Sequence, residues 1–299
     1  MKHAILTERK LMAGLLLGAG FLCSGIPAAG QDLSAYVNQP SDTVSRSPQR
    51  AFAGMLVANG NSTTLAGNKE LILNISHRFG YVNSGFYELF GLDNATMRLG
   101  FDYGFLPWLS AGFGRSTWEK DWDIHLKTGI LRQSRPGSPL NLVMSGQLAC
   151  NSLREVFPAG RDGFTDRLSY SVQALASHDF GRFSVQLAPV YLHTAYETEL
   201  MKTADLVSLG MAADVKLTRM MSLTLEYYAG LLKPDPGIRD PLSVGLDIVT
   251  GGHTFQLVFG NSRGMFDKAM LLNTTDTWRD GGIYFGFNLI RVFYPSHKD

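Results

Sequence analysis

The sequence predicts an all-β protein, a transmembrane antiparallel up-and-down β-barrel of about 12 strands, within a range of about 10–14. Three observations lead to this prediction: the composition, a recurring apolar–polar alternation, and aromatic residues near the ends of the alternating segments. Of the 299 residues, 18% are charged and 32 are glycine, whereas ordinary soluble domains contain roughly 25% charged residues and roughly 7% glycine. A deficit of charge is expected when much of the surface faces lipid.

The composition also excludes several classes of protein. A net charge of +1 argues against a nucleic-acid partner, which would require a basic face. Two cysteines, Cys23 and Cys150, are too few for a disulfide scaffold or a multi-cysteine metal site. We expect no cofactor, no metal and no catalytic residues.

Residues 1–30 are predicted to be an export signal. A basic start, an apolar run from Leu11 to Cys23 and small residues up to Gly30 form the three-part pattern of a secretory signal peptide. The apolar run is shorter than the roughly 20 residues of a spanning helix, which argues against the alternative, a single anchor helix.

Apolar and polar residues alternate repeatedly beyond residue 68. In 97–103, large apolar side chains occupy every second position, with Arg98, Gly100 and Asp102 between them. Successive side chains of a strand point to opposite faces, so each such segment has one apolar face and one polar or small face. The same pattern recurs in 122–128, 168–174, 223–227, 244–248 and 285–289.

Such strands occur both in soluble sandwiches and in membrane barrels. The segments here mostly run for nine to fourteen residues, whereas soluble strands cluster near roughly 5–6 residues and membrane strands need roughly 9–11. Aromatic residues near the strand ends are typical of the two water–lipid interfaces. They are Phe105, Trp108, Trp118, Trp122, Phe180, Phe183, Phe293 and Tyr294. Both observations favour the barrel.

The strand count is even, as in bacterial single-chain barrels. This parity holds only if residues 51–59 do not form a barrel strand. Residues 31–68 are therefore interpreted as an N-terminal periplasmic or lumenal segment, and residues 69–299 as the barrel, with shorter and longer connections alternating. The predicted strands are 69–79, 95–103, 107–115, 121–133, 140–150, 166–178, 182–194, 204–217, 220–231, 241–250, 253–261 and 282–294.

Short motifs occur in a defined order along the chain: His77–Gly80, Phe90–Asp93, Arg98–Gly104, Gly114–Ser116, Lys127 with Leu131–Gln133, Ala188–Pro189, Glu226–Tyr228, Thr250–Leu257 and Gly286–Phe293. As an ordered set they resemble an exported β-barrel family of Bacteroidetes-type bacteria, domain of unknown function 5777. The resemblance covers nearly the whole mature chain and implies an outer-membrane barrel. It implies no activity and no catalytic residues.

The alternation places a set of charged side chains in the lumen. One interpretation is an ion-pair network that fills a narrow lumen and satisfies buried charges mutually; the other is a polar pathway for a small solute, in which charge sets selectivity. The candidates are Arg98, Asp102, Asp123, His125, Lys127, Arg167, Glu226 and Asp247.

The segment Thr250-Gly251-Gly252-His253 is the most conspicuous short motif. Its paired glycines favour a tight hairpin turn, where they would supply positive φ angles, on the periplasmic rim. A role for His253 as a ligand or proton carrier is the alternative.

Two loops are apolar on one face at helical spacing, 84–92 and 265–272. We expect both to pack over the barrel mouth as lids. The alternative is a hydrophobic site for an apolar ligand or a partner protein.

As a function we expect a passive pore or small-solute channel with a largely occluded polar lumen, in the bacterial outer membrane. Its partners would be outer-membrane lipid and a small polar solute. The alternative is a non-conducting structural barrel that binds a periplasmic or surface protein. A third hypothesis, a surface lipase with His193 and either Ser145 or Ser208, lacks the Gly-x-Ser-x-Gly motif, so we expect no enzyme.

Overall fold

The computed structural model describes residues 50–294, apart from 134–137, 155–156, 159, 161–162 and 199. The predicted signal peptide and residues 31–49 lie outside the described residues. In the part of the chain that the structure describes, no helix is long and apolar enough to cross a membrane.

The described residues contain twelve antiparallel strands that form one closed barrel, which confirms the predicted fold class. Each strand pairs with its neighbours in the chain, and β1 closes the barrel on β12. The strands are β1 Leu71–Tyr81, β2 Ala95–Leu106, β3 Leu109–Ser116, β4 Trp122–Leu131, β5 Asn141–Cys150, β6 Leu168–Asp179, β7 Phe183–Glu197, β8 Lys202–Lys216, β9 Met221–Leu232, β10 Leu242–Thr250, β11 His253–Gly260 and β12 Tyr284–Phe293.

The strand ends lie close to the predicted ones, and the largest differences are extensions. β2 continues to Leu106, and β7 continues to Glu197, where Glu197 pairs with Lys202 of β8. This pairing extends the β7–β8 ladder past the end that the hydrophobic alternation indicates, because ladder hydrogen bonds do not depend on side-chain polarity.

Burial alternates along the strands with a period of two. In β6, Ser171 and Gln173 are buried in the lumen, whereas Tyr170 and Val172 point outward and are exposed. The outer wall is therefore apolar and the inner wall is polar, which is the arrangement of a barrel in lipid.

Most of the predicted interfacial aromatic residues lie on the outer surface. Phe105, Trp108, Trp122 and Phe180 are each about half exposed. Trp118 differs from the prediction, since it turns inward and packs against the buried Phe266. It lies in a 3-10 turn ahead of β4, where the strand alternation does not determine its direction.

The connections define two rims. The short-turn rim contains 107–108, 132–140, 180–182, 217–220 and 251–252. The long-loop rim contains 82–94, 117–121, 151–167, 198–201, 233–241 and 261–283.

Two segments of the chain fill the lumen. Residues 50–68, called here the lumenal hairpin, turn back at Val57, whose N–H donates to the carbonyl of Gly60 at 2.9 Å. Phe52 and Val57 of the hairpin are buried and pack with Ala212 of β8. A single bridge, Leu56 with Asn61, is the only pairing described in 51–61, so this segment is not a barrel strand.

The second filling segment is a short helix, α1 (Asp267–Leu272), in the loop 261–283 of the long-loop rim. All six of its residues are buried. Met270, Leu271 and Leu272 pack against Val190, Leu192 and Leu206 of the wall. This loop therefore closes the mouth, as expected for a lid.

The other predicted lid does not cover the mouth. In the loop 84–92, Phe86 is 81% exposed and Tyr87 is 96% exposed. Leu89 and Phe90 have positive φ angles of 45° and 55°, so the backbone departs from the regular helix that the apolar spacing suggested. The prediction of a packed lid at 84–92 is therefore wrong.

Candidate functional site

Four of the predicted lumen charges converge on β2 and β4. Arg98 binds Asp123 through two hydrogen bonds, Nε–Oδ2 at 2.9 Å and Nη2–Oδ1 at 2.6 Å. His125 lies between the two aspartates, with Nε2 2.5 Å from Asp102 Oδ1 and Nδ1 3.7 Å from Asp123 Oδ1. Arg98, Asp102 and Asp123 are buried and the His125 side chain is 11% exposed, so the charges of this cluster are balanced within it, largely away from bulk water.

Glycines on the neighbouring strand make room for this cluster. A Cβ atom at Gly114 would lie 2.3 Å from Arg98 Nη2, and one at Gly112 would lie 2.4 Å from Asp102 Oδ1. Any larger residue at these inward positions of β3 would displace a buried charged group.

Lys127 faces the lumenal hairpin instead of a carboxylate. Its Nζ donates to the backbone carbonyls of Met55 at 2.8 Å and Ser62 at 3.2 Å. The two carbonyls belong to opposite arms of the hairpin, and Ser62 N–H also donates to Met55. Lys127 thus ties both arms to the wall.

Glu226 of β9 binds the tip of the hairpin. Its carboxylate accepts the backbone N–H groups of Ala58 at 3.2 Å, Asn59 at 3.2 Å and Gly60 at 2.9 Å. The side chain is buried, and charge-assisted hydrogen bonds of this kind are stronger than neutral ones.

Arg78 is a lumen residue that the sequence analysis missed. It donates from Nη2 to Asn59 Oδ1 at 2.6 Å and to the carbonyl of Ala58 at 3.2 Å. Its even position in β1, with His77 and Phe79 facing outward beside it, follows the same alternation as the other candidates. The signal was therefore present.

Uncharged side chains complete the cradle of the hairpin. Gln256 donates to the carbonyl of Val57 at 3.0 Å, and Asn288 donates to that of Ala58 at 2.8 Å. Gln186 accepts from Thr63 N–H at 2.9 Å and donates to the carbonyl of Asn61 at 2.8 Å.

The two remaining charged candidates lie apart from the hairpin contacts. Asp247 of β10 is buried and accepts from Gln256 at 3.1 Å. Arg167 precedes β6, in a 3-10 turn of the long-loop rim, and donates to the carbonyls of Asn151 and Leu153. Arg167 thus contacts a loop, because the strand alternation begins only after it, at Leu168.

The motif 250–253 forms the β10–β11 turn on the short-turn rim. Only one of its glycines needs the left-handed region, since Gly252 has a φ of +92° and Gly251 has no positive φ. Thr250 pairs with His253 across the turn. His253 faces outward, where its Nδ1 lies 2.9 Å from Arg291 Nη1.

The helix α1 is anchored by two charged side chains. Asp267 accepts hydrogen bonds from Ser171 at 2.5 Å and Gln173 at 2.6 Å. Asn61 of the hairpin also donates to Asp267, at 3.2 Å, so the two filling segments touch. A cavity of ≈ 30 Å³ remains where hairpin, α1 and wall meet, which is room for very few water molecules.

Lys268 lies among three carboxylates of the long-loop rim. Its Nζ is 2.7 Å from Glu119, 3.6 Å from Glu197 and 3.8 Å from Asp121. Burial alone would lower the pKa of Lys268, but the three carboxylates outweigh it and raise the pKa. Burial raises the pKa of Asp121 to about 7, with Lys268 opposing and Glu119 and Glu197 adding to the shift.

The proposed lipase residues do not meet. His193 faces outward and contacts Asp205, with Nδ1 2.9 Å from Oδ1. Ser145 and Ser208 are buried on the inner face, because they occupy the alternate positions of β5 and β8 whose side chains point into the lumen. Within the described ranges, no group of three or more His, Cys, Asp or Glu residues is arranged to hold a metal ion.

A closed antiparallel barrel with an apolar outer wall, interfacial aromatic residues and a polar, filled lumen defines the class of membrane-bound β-barrels. Within this class, the chain belongs to the family described as Membrane bound beta barrel domain (DUF5777), which residues 52–293 match. A comparison with curated proteins finds no match.

Solved structures with a similar outline are distant. A NanC porin matches with a TM-score of 0.48 and 11% identity, covering 76% of this chain and 100% of that one. An outer membrane channel from Pseudomonas putida F1 matches with a TM-score of 0.45 and 14% identity, covering 78% and 98%. Outer membrane phospholipase A from Escherichia coli matches with a TM-score of 0.41 and 12% identity, covering 83% and 98%.

Proposed function

We propose that this protein is a gated channel for small polar solutes in the outer membrane of Bacteroidetes-type bacteria, exported by a signal peptide over residues 1–30. The lumenal hairpin closes the channel, and its displacement, together with that of the loop 261–283 that it contacts through Asn61 and Asp267, opens it. One observation carries the proposal: the charged side chains that would line a pore bind the backbone of this hairpin.

The polarity of these contacts favours a hairpin that can leave. Glu226, Lys127 and Arg78 hold it through hydrogen bonds, each contributing about 1.5–3 kcal/mol when a charged group takes part. Water can replace such bonds once the hairpin moves out, because the exposed groups are polar. A plug held mainly by apolar packing would lack this compensation.

A reversible cross-link tests the gate. Thr63 Oγ1 of the hairpin lies 2.6 Å from Ser177 Oγ of β6, so the variant Thr63→Cys/Ser177→Cys places two sulfurs within bonding reach. Cys23 and Cys150 are replaced by serine to avoid competing thiols. In planar bilayers, we expect the oxidised variant to carry no current and the reduced variant to conduct in brief openings.

A second variant should favour the open state. A Cβ at Gly60 would lie 2.1 Å from the hydroxyl oxygen of Tyr228, a buried residue of the wall. We therefore expect Gly60→Val to displace the hairpin tip and raise the open fraction about tenfold, which corresponds to about 1.4 kcal/mol.

For the cross-linking experiment, the single variant Thr63→Cys, treated with the same oxidant, is the control. Equal currents before and after oxidation of the double cysteine variant would contradict gating by the hairpin.

The second candidate function is a non-conducting structural or partner-binding barrel. The anchoring of α1 by Asp267 and Lys268 favours it, because these side chains bind the helix directly to the barrel wall and to the long-loop rim. No current from any variant, the Gly60→Val form included, would support this candidate and remove the channel.

We also propose that the protein is not an enzyme. The separation of His193 from Ser145 and Ser208 by the barrel wall supports this. Hydrolysis of phospholipid in detergent micelles, lost in His193→Ala, would contradict it.

A further inference from the structure

The lumen has walls of unequal charge. The inward-facing residues described in β1–β4 include three cations, Arg78, Arg98 and Lys127. They outnumber the two aspartates of the same wall, Asp102 and Asp123.

Across the lumen, β8–β10 present acids, with Glu226 near the middle of its strand and Asp214 and Asp247 nearer the short-turn rim. The described residues there place no buried Lys or Arg beside these acids. Lys216, at the end of β8, pairs with Asp179 near the short-turn rim. Since β4 and β10 are opposite in the strand order, the field runs across the pore.

Backbone groups of the hairpin point to charged side chains of the wall in the direction that this field favours. Its N–H groups at 58–60 point to Glu226 on the acidic wall. Its carbonyl groups at Met55 and Ser62 point to Lys127, and that of Ala58 points to Arg78. The N–H groups of 58–60 thus face the acidic wall, and the carbonyl groups of Met55, Ala58 and Ser62 face the basic wall.

The acidic wall also holds acceptor atoms that the hairpin does not use. Oδ2 of Asp214 and Oδ2 of Asp247 are buried without a hydrogen-bond partner. The same is true of Oγ1 of Thr224, which pairs with Asp214 on β9, the strand between those of the two aspartates. These three atoms could accept further donors from a solute in the lumen.

From these contacts we propose that the open lumen selects short zwitterionic peptides, and that the hairpin is an internal substitute for them. This inference rests on the proposed channel function. The ammonium group of the peptide lies along the wall of Glu226 and Asp247, and its carboxylate lies along the wall of Arg78 and Lys127. A solute with one sign of charge gains on one wall and loses on the other, whereas a zwitterion gains on both.

Solute permeation into liposomes tests the selectivity in the Gly60→Val background. The probes are four derivatives of dialanine with similar size: the free zwitterion, the N-acetylated anion, the amidated cation, and the neutral form blocked at both ends. We expect the zwitterion to enter about tenfold faster than the neutral form. The triple change Asp214→Asn, Glu226→Gln and Asp247→Asn should remove this advantage.

Asp93→Asn, on an exposed loop, is the matched control and should keep the preference. Circular dichroism confirms that each variant is a folded barrel, and Asp247→Asn alone, with a smaller loss, replaces the triple variant where that one does not refold. Entry of none of the four probes would overturn the channel itself. Equal rates for all four, faster entry of the cation, or a zwitterion preference that survives the charge changes would overturn the selectivity and leave the channel standing.

Discussion

At the scale of single residues, the Arg98–Asp123 pair shows how this lumen manages buried charge. Both side chains are almost fully buried, at 6% and 0% exposed, and they meet through two hydrogen bonds. Removing one partner of such a pair leaves the other charge buried without a partner, whereas replacing both with apolar residues often changes the stability little.

We therefore expect Arg98→Leu to lower the free energy of unfolding by about 3–5 kcal/mol. The double variant Arg98→Leu/Asp123→Leu should recover most of this loss. Urea unfolding of the refolded barrel, followed by tryptophan fluorescence, measures both. Arg182→Leu, on an exposed turn, is the control and should change stability by about 0.5 kcal/mol or less. An equal loss in the single and double variants would show that the pair is not the stabilising unit.

At the scale of elements, the stability of the lid formed by the loop 261–283 depends on pH. Asp121 lies just before β4, is buried, and has no hydrogen-bond partner for either oxygen. Lys268 is its nearest cation, at 3.8 Å, and also forms ion pairs with Glu119 and Glu197. Charging Asp121 therefore disfavours the packed lid.

Because burial raises the pKa of Asp121 to about 7 from an ordinary value of 3.8, the folded lid holds this proton more tightly than an open lid does. The contribution of Asp121 to lid stability should thus decline as the pH rises from about 4 to about 7, and stay constant above that. Limited proteolysis of the loop 261–283 should be slower at pH 5 than at pH 8. In Asp121→Asn this difference should shrink markedly, and an undiminished difference would assign the pH dependence to other groups.

At the scale of the whole molecule, the outer wall is the surface that meets lipid. Leu225 lies near the middle of β9 and is 47% exposed, and Leu231 lies near the long-loop end of the same strand. Both point outward, so they differ chiefly in their expected depth in the bilayer.

We expect Leu225→Arg to cost about 2–4 kcal/mol in a bilayer, and Leu231→Arg about 0–1 kcal/mol, since the cost of a charge falls from the midplane to the interface. Reversible folding into phospholipid vesicles measures both values. Equal costs at the two positions would place the membrane elsewhere on the barrel.

The alternation of residue types was sufficient to predict much of the lumen. It placed Arg98, Asp102, Asp123 and His125 on inward positions, and the structure brings them into contact. The same rule would have included Arg78. It could not apply to Arg167 or Trp118, because both lie in 3-10 turns where side chains have no period of two.

What fills the lumen could not be predicted from alternation. The hairpin 50–68 has neither a strand period nor a helical period, and its position depends on hydrogen bonds to Glu226, Lys127 and Gln186, which are distant in the sequence. The loops 84–92 and 265–272 have similar apolar patterns, yet one is exposed and the other is buried. Local composition does not distinguish them.

The amino-acid sequence was sufficient to predict the barrel: its strand number, its inward and outward positions, and its apolar outer wall. It could do so because strand periodicity and strand length are local properties that the lipid and the lumen impose on every strand alike. The three-dimensional fold was needed to show that the chain closes its own lumen, and to show which charges bind the closing segment. Many of those contacts join residues that are distant in the sequence, such as Glu226 and Gly60, which are 166 positions apart, and no short-range pattern specifies them.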